Sequence, residues 1–225
     1  MAPPITRPPR YNDSVFINCP FDDDYGPVLR AIVFAVYDCG LIPRCALEET
    51  DSGPNRLGRI LKIISECRYG IHDISRTELS RANLPRFNMP FECGLYWGAW
   101  HFGAEWHAEK RLLVLDSEAG RYRDSLSDIA GQDIKVHRDD ARTAVNHVRN
   151  WLNSSSRRQT IPGGAEIWRR YEQFLRELPL LLEEAQITGA ELDTLDYYLD
   201  YTTLVEKWLK ISEAQARESR GSRQR

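Results

Sequence analysis

Short apolar segments alternate with stretches of helical periodicity over residues 14–152, and this alternation constrains the fold more than any other feature of the chain. The segments predicted as strands are residues 14–21, 41–47, 69–74, 110–116 and 133–137. Strands that alternate with helices are joined by right-handed crossovers and lie parallel in one sheet. The sequence therefore predicts an α/β domain built on a five-stranded parallel sheet.

Helices are predicted between these strands, over residues 25–39, 56–67, 90–102 and 141–152. The acidic run at residues 22–24 is predicted to lie in the first turn of the first helix, since negative charge is favourable at the positive end of the helix dipole. In the second helix, the apolar side chains predicted to face the core are Leu57, Ile60, Leu61 and Ile64.

Two further helical stretches, residues 165–185 and 190–212, follow a polar linker at residues 153–164. They are predicted to form a helical hairpin with aromatic side chains of the kind that interfaces favour, namely Tyr197, Tyr198, Tyr201 and Trp208. Either the hairpin extends the core of the sheet domain, or it contacts a second copy or a partner protein. Residues 1–13 and 213–225 are predicted as flexible or disordered tails.

Composition narrows the classes of function. The net charge is −3, so no overall positive charge favours nucleic-acid binding. The five cysteines are odd in number and form no CxxC pair or Cys/His cluster, which argues against a disulfide framework and against a zinc site. No signal peptide is evident, and no apolar run approaches the roughly 18–20 residues of a membrane span. We expect a cytoplasmic protein without a metal site.

Open parallel sheets bind ligands beyond the carboxyl ends of their strands, and the segment NMPFECGLYWG (residues 88–98) is predicted to lie there. Glu92 is predicted in the first turn of a helix, where the dipole lowers its pKa and keeps it ionised. It could then act as a nucleophile or stabilise positive charge. Alternatively, it caps the helix. Gly94 and Gly98 would allow a ligand or another backbone to approach closely.

Other polar candidates follow the strands. His72 and Asp73 end the third strand and could orient a ligand, although adjacent strand residues point to opposite faces. Asn18 is polar within an apolar strand, so it faces a ligand or bonds to a neighbouring loop. Arg44 and Arg56 could each bind a phosphate, with surface ion pairs as the alternative. The sequence contains no Gly-rich phosphate loop and no GxSxG elbow.

Two segments resemble TIR-like domains. VFINCPFDDDY (residues 15–25) resembles their first strand, and NMPFECGLYWG resembles the glutamate motif of bacterial TIR-like nucleotide-binding proteins. Nucleoside 2-deoxyribosyltransferases, a related fold, place their catalytic glutamate similarly. The resemblance covers residues 14–152. It implies a flavodoxin-like fold with helices on both faces of the sheet, and attack on the N-glycosidic bond of NAD or a nucleoside.

The resemblance also implies that Glu92 is the catalytic glutamate and that NAD or a nucleotide is the substrate rather than a cofactor. The residues predicted to contact this substrate, from the resemblance and the strand ends together, are Phe16, Asn18, Asp22, Arg44, His72 and Asp73. TIR-like enzymes generally work as oligomers, so the resemblance favours a contact surface on the C-terminal hairpin. Some of these enzymes are bacterial defence effectors. The loops after the second and third strands do not match the family pattern.

Three functions stay open at this point. The first is a NAD glycohydrolase or cyclase. The second is a nucleoside or nucleotide N-glycosidase or deoxyribosyltransferase. The third is a non-catalytic module that senses a nucleotide or binds protein partners.

Overall fold

The computed structural model describes residues 6–49, 55–76, 86–124, 126–156 and 160–223, with side chains in the last helix described up to Glu218. Five strands form one sheet in the order β2-β1-β3-β4-β5, and every pairing is parallel. The strands are β1 (Ser14–Asn18), β2 (Ile42–Arg44), β3 (Tyr69–Asp73), β4 (Arg111–Asp116) and β5 (Lys135–Val136). The predicted α/β class and the flavodoxin-like parallel sheet are confirmed.

The strands are shorter than predicted, most of all β1, β2 and β5. β1 ends at Asn18, shortly before Pro20, which lacks the N–H that a ladder needs. The edge strand β2 stops at Arg44 because Cys45 caps a 3-10 turn over Ala46–Glu48. The other edge strand, β5, has two residues. The central strands β1 and β3 are buried along their whole length.

The helices are α1 (Gly26–Asp38), α2 (Arg56–Glu66), α3 (Asn88–Phe102), α4 (Ala141–Ser155), α5 (Gly164–Ala185), α6 (Gly189–Leu192) and α7 (Tyr198–Arg223). The predicted place of the acidic run in the first turn of α1 is wrong, because the run lies in a turn before the helix. Asp22 closes that turn, since its carboxylate accepts from the Tyr25 N–H at 3.0 Å. No acidic side chain lies in the first turn of α1.

Helices cover both faces of the sheet. Val15 and Ile17 of β1 face the main core, which includes side chains of α1, α4, α5 and α7. Phe16 points to the other face and packs with α2 and α3. The buried stripe of α2 consists of Ile60, Ile63 and Ile64.

The inward positions predicted for Leu57 and Leu61 are wrong, because these side chains are 43% and 45% exposed. Because Ile63 is buried together with Ile60 and Ile64, the buried stripe of α2 lies on a side of the helix away from Leu57 and Leu61.

The C-terminal helices form the predicted hairpin, but they fold back onto α1. The Phe34 ring lies 5.2 Å from the Tyr171 ring, 5.5 Å from Phe174 and 5.8 Å from Trp208. Tyr201 is buried and donates a hydrogen bond to the Arg30 carbonyl at 2.8 Å.

The predicted contact surface is therefore wrong for Tyr198, Tyr201 and Trp208, which are buried within the chain. They extend the core instead. The last helix, α7, continues to Arg223 and so runs into the stretch predicted as a disordered tail. None of the helices described is both long and apolar enough to cross a lipid bilayer.

Candidate functional site

The amino-terminal end of α3 is fixed to the carboxyl edge of the sheet by Asn18. Its amide nitrogen donates to the Met89 carbonyl at 2.8 Å and lies 2.9 Å from Nδ1 of His72. Because Asn18 is 3% exposed, it lies beneath the surface of the edge. It bonds to neighbouring segments, as the structural alternative required, and it positions α3.

Glu92 lies in the second turn of α3, since the helix begins at Asn88 and not at the predicted residue 90. Its side chain is buried, with 6% of the residue exposed. Burial raises the pKa of Glu92 to about 7, while the charge of Arg56 acts in the opposite direction. The predicted low pKa is wrong because the effect of the helix dipole fades beyond the first turn and desolvation dominates.

The helix boundary also decides against the capping alternative. In a capping box, the glutamate occupies the third helical position. Pro90 occupies that position in α3, and Glu92 lies two residues further along the chain. The buried carboxyl group is therefore not explained by the start of the helix.

The loop after β1 approaches Glu92 from the sheet. Cys19, the first residue of this loop, is buried, and burial raises the pKa of its thiol well above the usual value. The charges of Asp73, Glu92 and Asp22 raise it further. Cys19 is thus a neutral thiol, which excludes it as an activated nucleophile.

Charged side chains lie at the rim of this edge. Asp22 forms ion pairs with Arg86 at 3.1 Å and with Arg76 at 3.6 Å. Arg76 also reaches Asp139, after β5, at 3.6 Å. Arg56 is exposed at the start of α2. The rim therefore joins the ends of β1, β3 and β5 and presents guanidinium groups that suit a phosphate.

His72 and Phe16 lie inside the protein and do not contact the site surface. The fully buried imidazole of His72 packs 5.5 Å from the Phe16 ring and 5.0 Å from the Tyr96 ring. Burial, together with the charge of Lys110, lowers the pKa of His72 to about 3. Neither Phe16 nor His72 has exposed surface in this structure through which the predicted substrate contacts could form.

Asp73 points to the opposite face from His72, as strand geometry predicts, and joins a buried polar cluster. Its carboxylate accepts from the Tyr25 hydroxyl at 2.6 Å, from the backbone N–H and hydroxyl of Ser75, and from Nε2 of His137 at 2.8 Å. Burial alone would raise the pKa of Asp73, but hydrogen bonds from these partners hold it below its usual value. Both carboxylate oxygens of Asp73 therefore have partners inside the protein, and neither is free for the predicted substrate contact.

The cluster is not a Ser-His-Asp triad. Nδ1 of His137 accepts the Asp139 N–H at 3.1 Å, so Nε2 carries a proton and donates it to Asp73. The Ser75 hydroxyl lies 3.1 Å from the same Nε2. That nitrogen has no free lone pair with which to take a proton from serine. The cluster therefore ties the ends of β1, β3 and β5 together.

The remaining candidates are Arg44 and the two glycines of α3. Arg44 pairs with Glu48 at 2.7 Å and with Glu66 at 3.2 Å, as the ion-pair alternative predicts. A Cβ on Gly94 or Gly98 would meet no atom of the described residues within 4 Å. The close approach predicted there has no partner within this part of the chain.

Sequence reasoning missed Tyr25, Ser75 and His137, which complete the polar cluster, and Arg76 and Arg86, which form the rim. The available signal was their place next to strand ends. All five cysteines are buried and none forms a disulfide. The described ranges contain no group of three His, Cys, Asp or Glu side chains that could hold a metal ion. Comparisons with protein-family models, with curated proteins and with solved structures give no match to this chain.

Proposed function

We propose that this chain is a TIR-like enzyme that cleaves the N-glycosidic bond of NAD, as a glycohydrolase or cyclase, with Glu92 as its catalytic carboxylate. One observation carries the proposal. Glu92 is 6% exposed on a helix at the carboxyl edge of a parallel sheet, and its pKa is raised to about 7. Strongly perturbed carboxyl groups in such places are characteristic of active sites.

The chemistry requires one ionised carboxylate. In NAD the scissile bond joins the ribose C1′ to a pyridinium nitrogen, so nicotinamide leaves as a neutral molecule and takes no proton. The carboxylate of Glu92 would stabilise the positive charge that develops on the ribosyl group, or trap it as an ester. Water then attacks C1′ and yields ADP-ribose and a proton. In a cyclase, a nitrogen of the adenine attacks instead.

The surroundings of Glu92 support this role. Asn18 holds the first turn of α3 through the Met89 carbonyl, which fixes the carboxylate against the edge of the sheet. The exposed guanidinium of Arg56 is close enough to lower the pKa of Glu92 and could bind the diphosphate of the substrate. A pyridinium ring beside Glu92 would favour the ionised form further.

The test is incubation with NAD followed by chromatography for nicotinamide. We expect release by the wild-type chain and loss of at least about 100-fold in rate for Glu92→Gln, which keeps the shape but removes the charge. Glu105→Gln is the matched control, because Glu105 is exposed just after α3. Equal rates for wild type and Glu92→Gln would refute the assignment of Glu92.

A second candidate activity is cleavage of a nucleoside or nucleotide, or transfer of its deoxyribosyl group. A pKa of about 7 leaves a large fraction of Glu92 protonated at neutral pH, and a carboxylic acid can protonate a departing base. Release of free base from nucleosides, with NAD left intact, would support this candidate. Binding of a nucleotide by calorimetry without any product would instead indicate a sensing module.

The setting of the activity is part of the same proposal. We place the chain in the cytoplasm, where buried cysteines stay reduced, and we propose a role as a bacterial defence effector. Expression of the wild-type chain in bacteria should then lower cellular NAD, and expression of Glu92→Gln should not. Unchanged NAD in both strains would argue against a defence role through NAD loss.

A further inference from the structure

The outer face of α3 carries large apolar side chains in contact with solvent. Phe87 is 64% exposed, Phe91 is 55% exposed and Phe102 is 91% exposed. Together with Gly94 and Gly98 they recur at intervals of three or four residues, which places all five on one side of the helix. We call these five residues the Phe–Gly stripe. It is flat at the glycines and bulky at both ends.

The composition of α3 shows that both of its sides are suited to burial. Its 15 residues include no lysine or arginine, and the inner side buries Met89, Cys93 and Tyr96. A helix that is apolar all round is normally covered on every side. In the part of the chain that the structure describes, the stripe is not covered. Exposed apolar patches of this kind mark interaction sites.

We propose that the Phe–Gly stripe is the interface of a homodimer, in which α3 of two copies cross antiparallel at the glycines. The stripe is nearly symmetric about position 96. Gly94 and Gly98 lie two residues on either side, and Phe91 and Phe102 lie five and six residues away. A two-fold axis through that point places Phe91 of one copy beside Phe102 of its partner and brings the glycines together. This self-complementarity is what an isologous contact requires.

Charge also favours a second copy. The stripe contains no charged side chain, so two copies meet there without like-charge repulsion. A membrane surface is less suitable, because helices that lie on membranes carry lysine or arginine along their flanks, and α3 has neither. Glycines at a crossing point let two helix backbones approach closely, which a lipid surface does not need. The inference is independent of the proposed enzymatic activity.

The glycines permit a sharp test by molar mass. We expect the full-length chain to form a dimer in sedimentation experiments over a range of concentrations. Gly98→Leu should fold normally, because a Cβ at Gly98 meets no described atom within 4 Å. The leucine would nevertheless hold the two helices apart. The dimer dissociation constant should rise by roughly 30-fold, the effect of losing one interface hot spot.

A second variant and a matched control complete the test. Phe102→Lys should also give monomers. In a two-fold contact each copy contributes one lysine, so the interface would bury two positive charges. Leu180→Lys is the control, since Leu180 is 68% exposed on α5 and lies outside the stripe. Circular dichroism checks that each variant folds. A wild-type chain that stays monomeric at about 100 µM, well above the micromolar affinities of weak specific complexes, would overturn the proposal.

Three other outcomes would also overturn it. They are a dimer that both stripe variants leave intact, a dimer that Leu180→Lys disrupts, and flotation of monomers with phosphatidylcholine vesicles that Phe102→Lys abolishes. None of these measurements needs a substrate. Failure of the NAD assay therefore leaves the result on the dimer unaffected.

Discussion

The helices α1 and α3 pack on opposite faces of the sheet and are both apolar on nearly all sides, but they differ in what covers their outer faces. On α1, the outer face is covered by α5 and α7, whose aromatic rings surround Phe34. On α3, the Phe–Gly stripe contacts no such layer in the described part of the chain, and its three phenylalanines are exposed. The apolar composition of a helix therefore predicts that its faces are buried. It does not predict whether the same chain or another chain buries them.

The largest effect is expected when the C-terminal helices that cover α1 are removed. A chain ending at Ser156 lacks α5, α6 and α7 and exposes the outer side of α1. We expect it to aggregate or to lose cooperative unfolding, because much of the main core is formed by those helices. Thermal melting followed by circular dichroism measures the cooperativity of unfolding, and gel filtration detects aggregation. A soluble truncated chain with a cooperative transition would show that the C-terminal helices are dispensable for folding.

A matched pair of substitutions makes the same comparison inside the intact chain. Phe34→Ala should lower the free energy of unfolding by about 3–5 kcal/mol, since it leaves a cavity between α1 and the C-terminal helices. Phe91→Ala should change the stability of the monomer by less than about 0.5 kcal/mol, because the ring is exposed. Urea denaturation at low protein concentration measures both. Similar losses for the two variants would mean that the stripe is covered within the chain.

Glu92, on the inner side of α3, should make the stability of the protein depend on pH. The pKa of Glu92 is about 7 in the folded protein, against a usual value of 4.5, so the folded state binds more protons between these pH values. Stability therefore falls as the pH rises from about 4.5 to 7. Glu92→Gln lacks this loss and should be more stable than wild type at pH 8, by on the order of 1–3 kcal/mol. At pH 4 the two proteins should be alike.

Thermal melts of both proteins at the two pH values provide the measurement. A variant that is destabilised equally at both would show that Glu92 makes a favourable contact in its ionised form. In an active enzyme, the rate should also rise with pH through about 7 as Glu92 ionises. A rate that rises near 4.5 instead would show that the carboxyl group is not desolvated.

The smallest expected effect is one whose sign depends on protein concentration. Gly98→Ala should stabilise the monomer by about 0.5–1 kcal/mol, because alanine favours a helix interior and the Cβ has space. At concentrations where the wild type is dimeric, the same change should weaken the dimer and reverse the gain. Melting temperatures of the wild type and the variant, measured at two protein concentrations, show whether the effect of the substitution changes sign. A gain of equal size at both would show that Gly98 lies outside any interface.

The sheet was predictable because its determinants are local. Each strand is a short apolar run, and the helices between them leave only parallel connections. The ends of the elements depended on single residues, such as Pro20 after β1 and Cys45 after β2. The orientation of α2 was missed because Leu57, Leu61 and Ile63 compete for one buried stripe. Only the tertiary packing decides between them.

The candidate site was only partly predictable. The motif located Glu92 at the sheet edge, but its predicted pKa was wrong because the helix begins two residues earlier than expected. The polar cluster around Asp73 could not be anticipated, since its partners come from three separate loops that the sheet order brings together. Aromatic composition also failed to distinguish a contact surface from the core, because both bury large rings.

The short edge strands of the sheet affect whether copies of this protein can pair strand to strand at high concentration. The β2 edge is only Ile42–Arg44, and its central residue, Pro43, has no N–H to offer. The opposite edge is the two-residue strand β5. Neither edge can serve as a template for a long intermolecular ladder, and this blocks the route by which many sheets grow into fibrils. Contacts between copies of this protein are thereby left to surfaces other than the edges of the sheet.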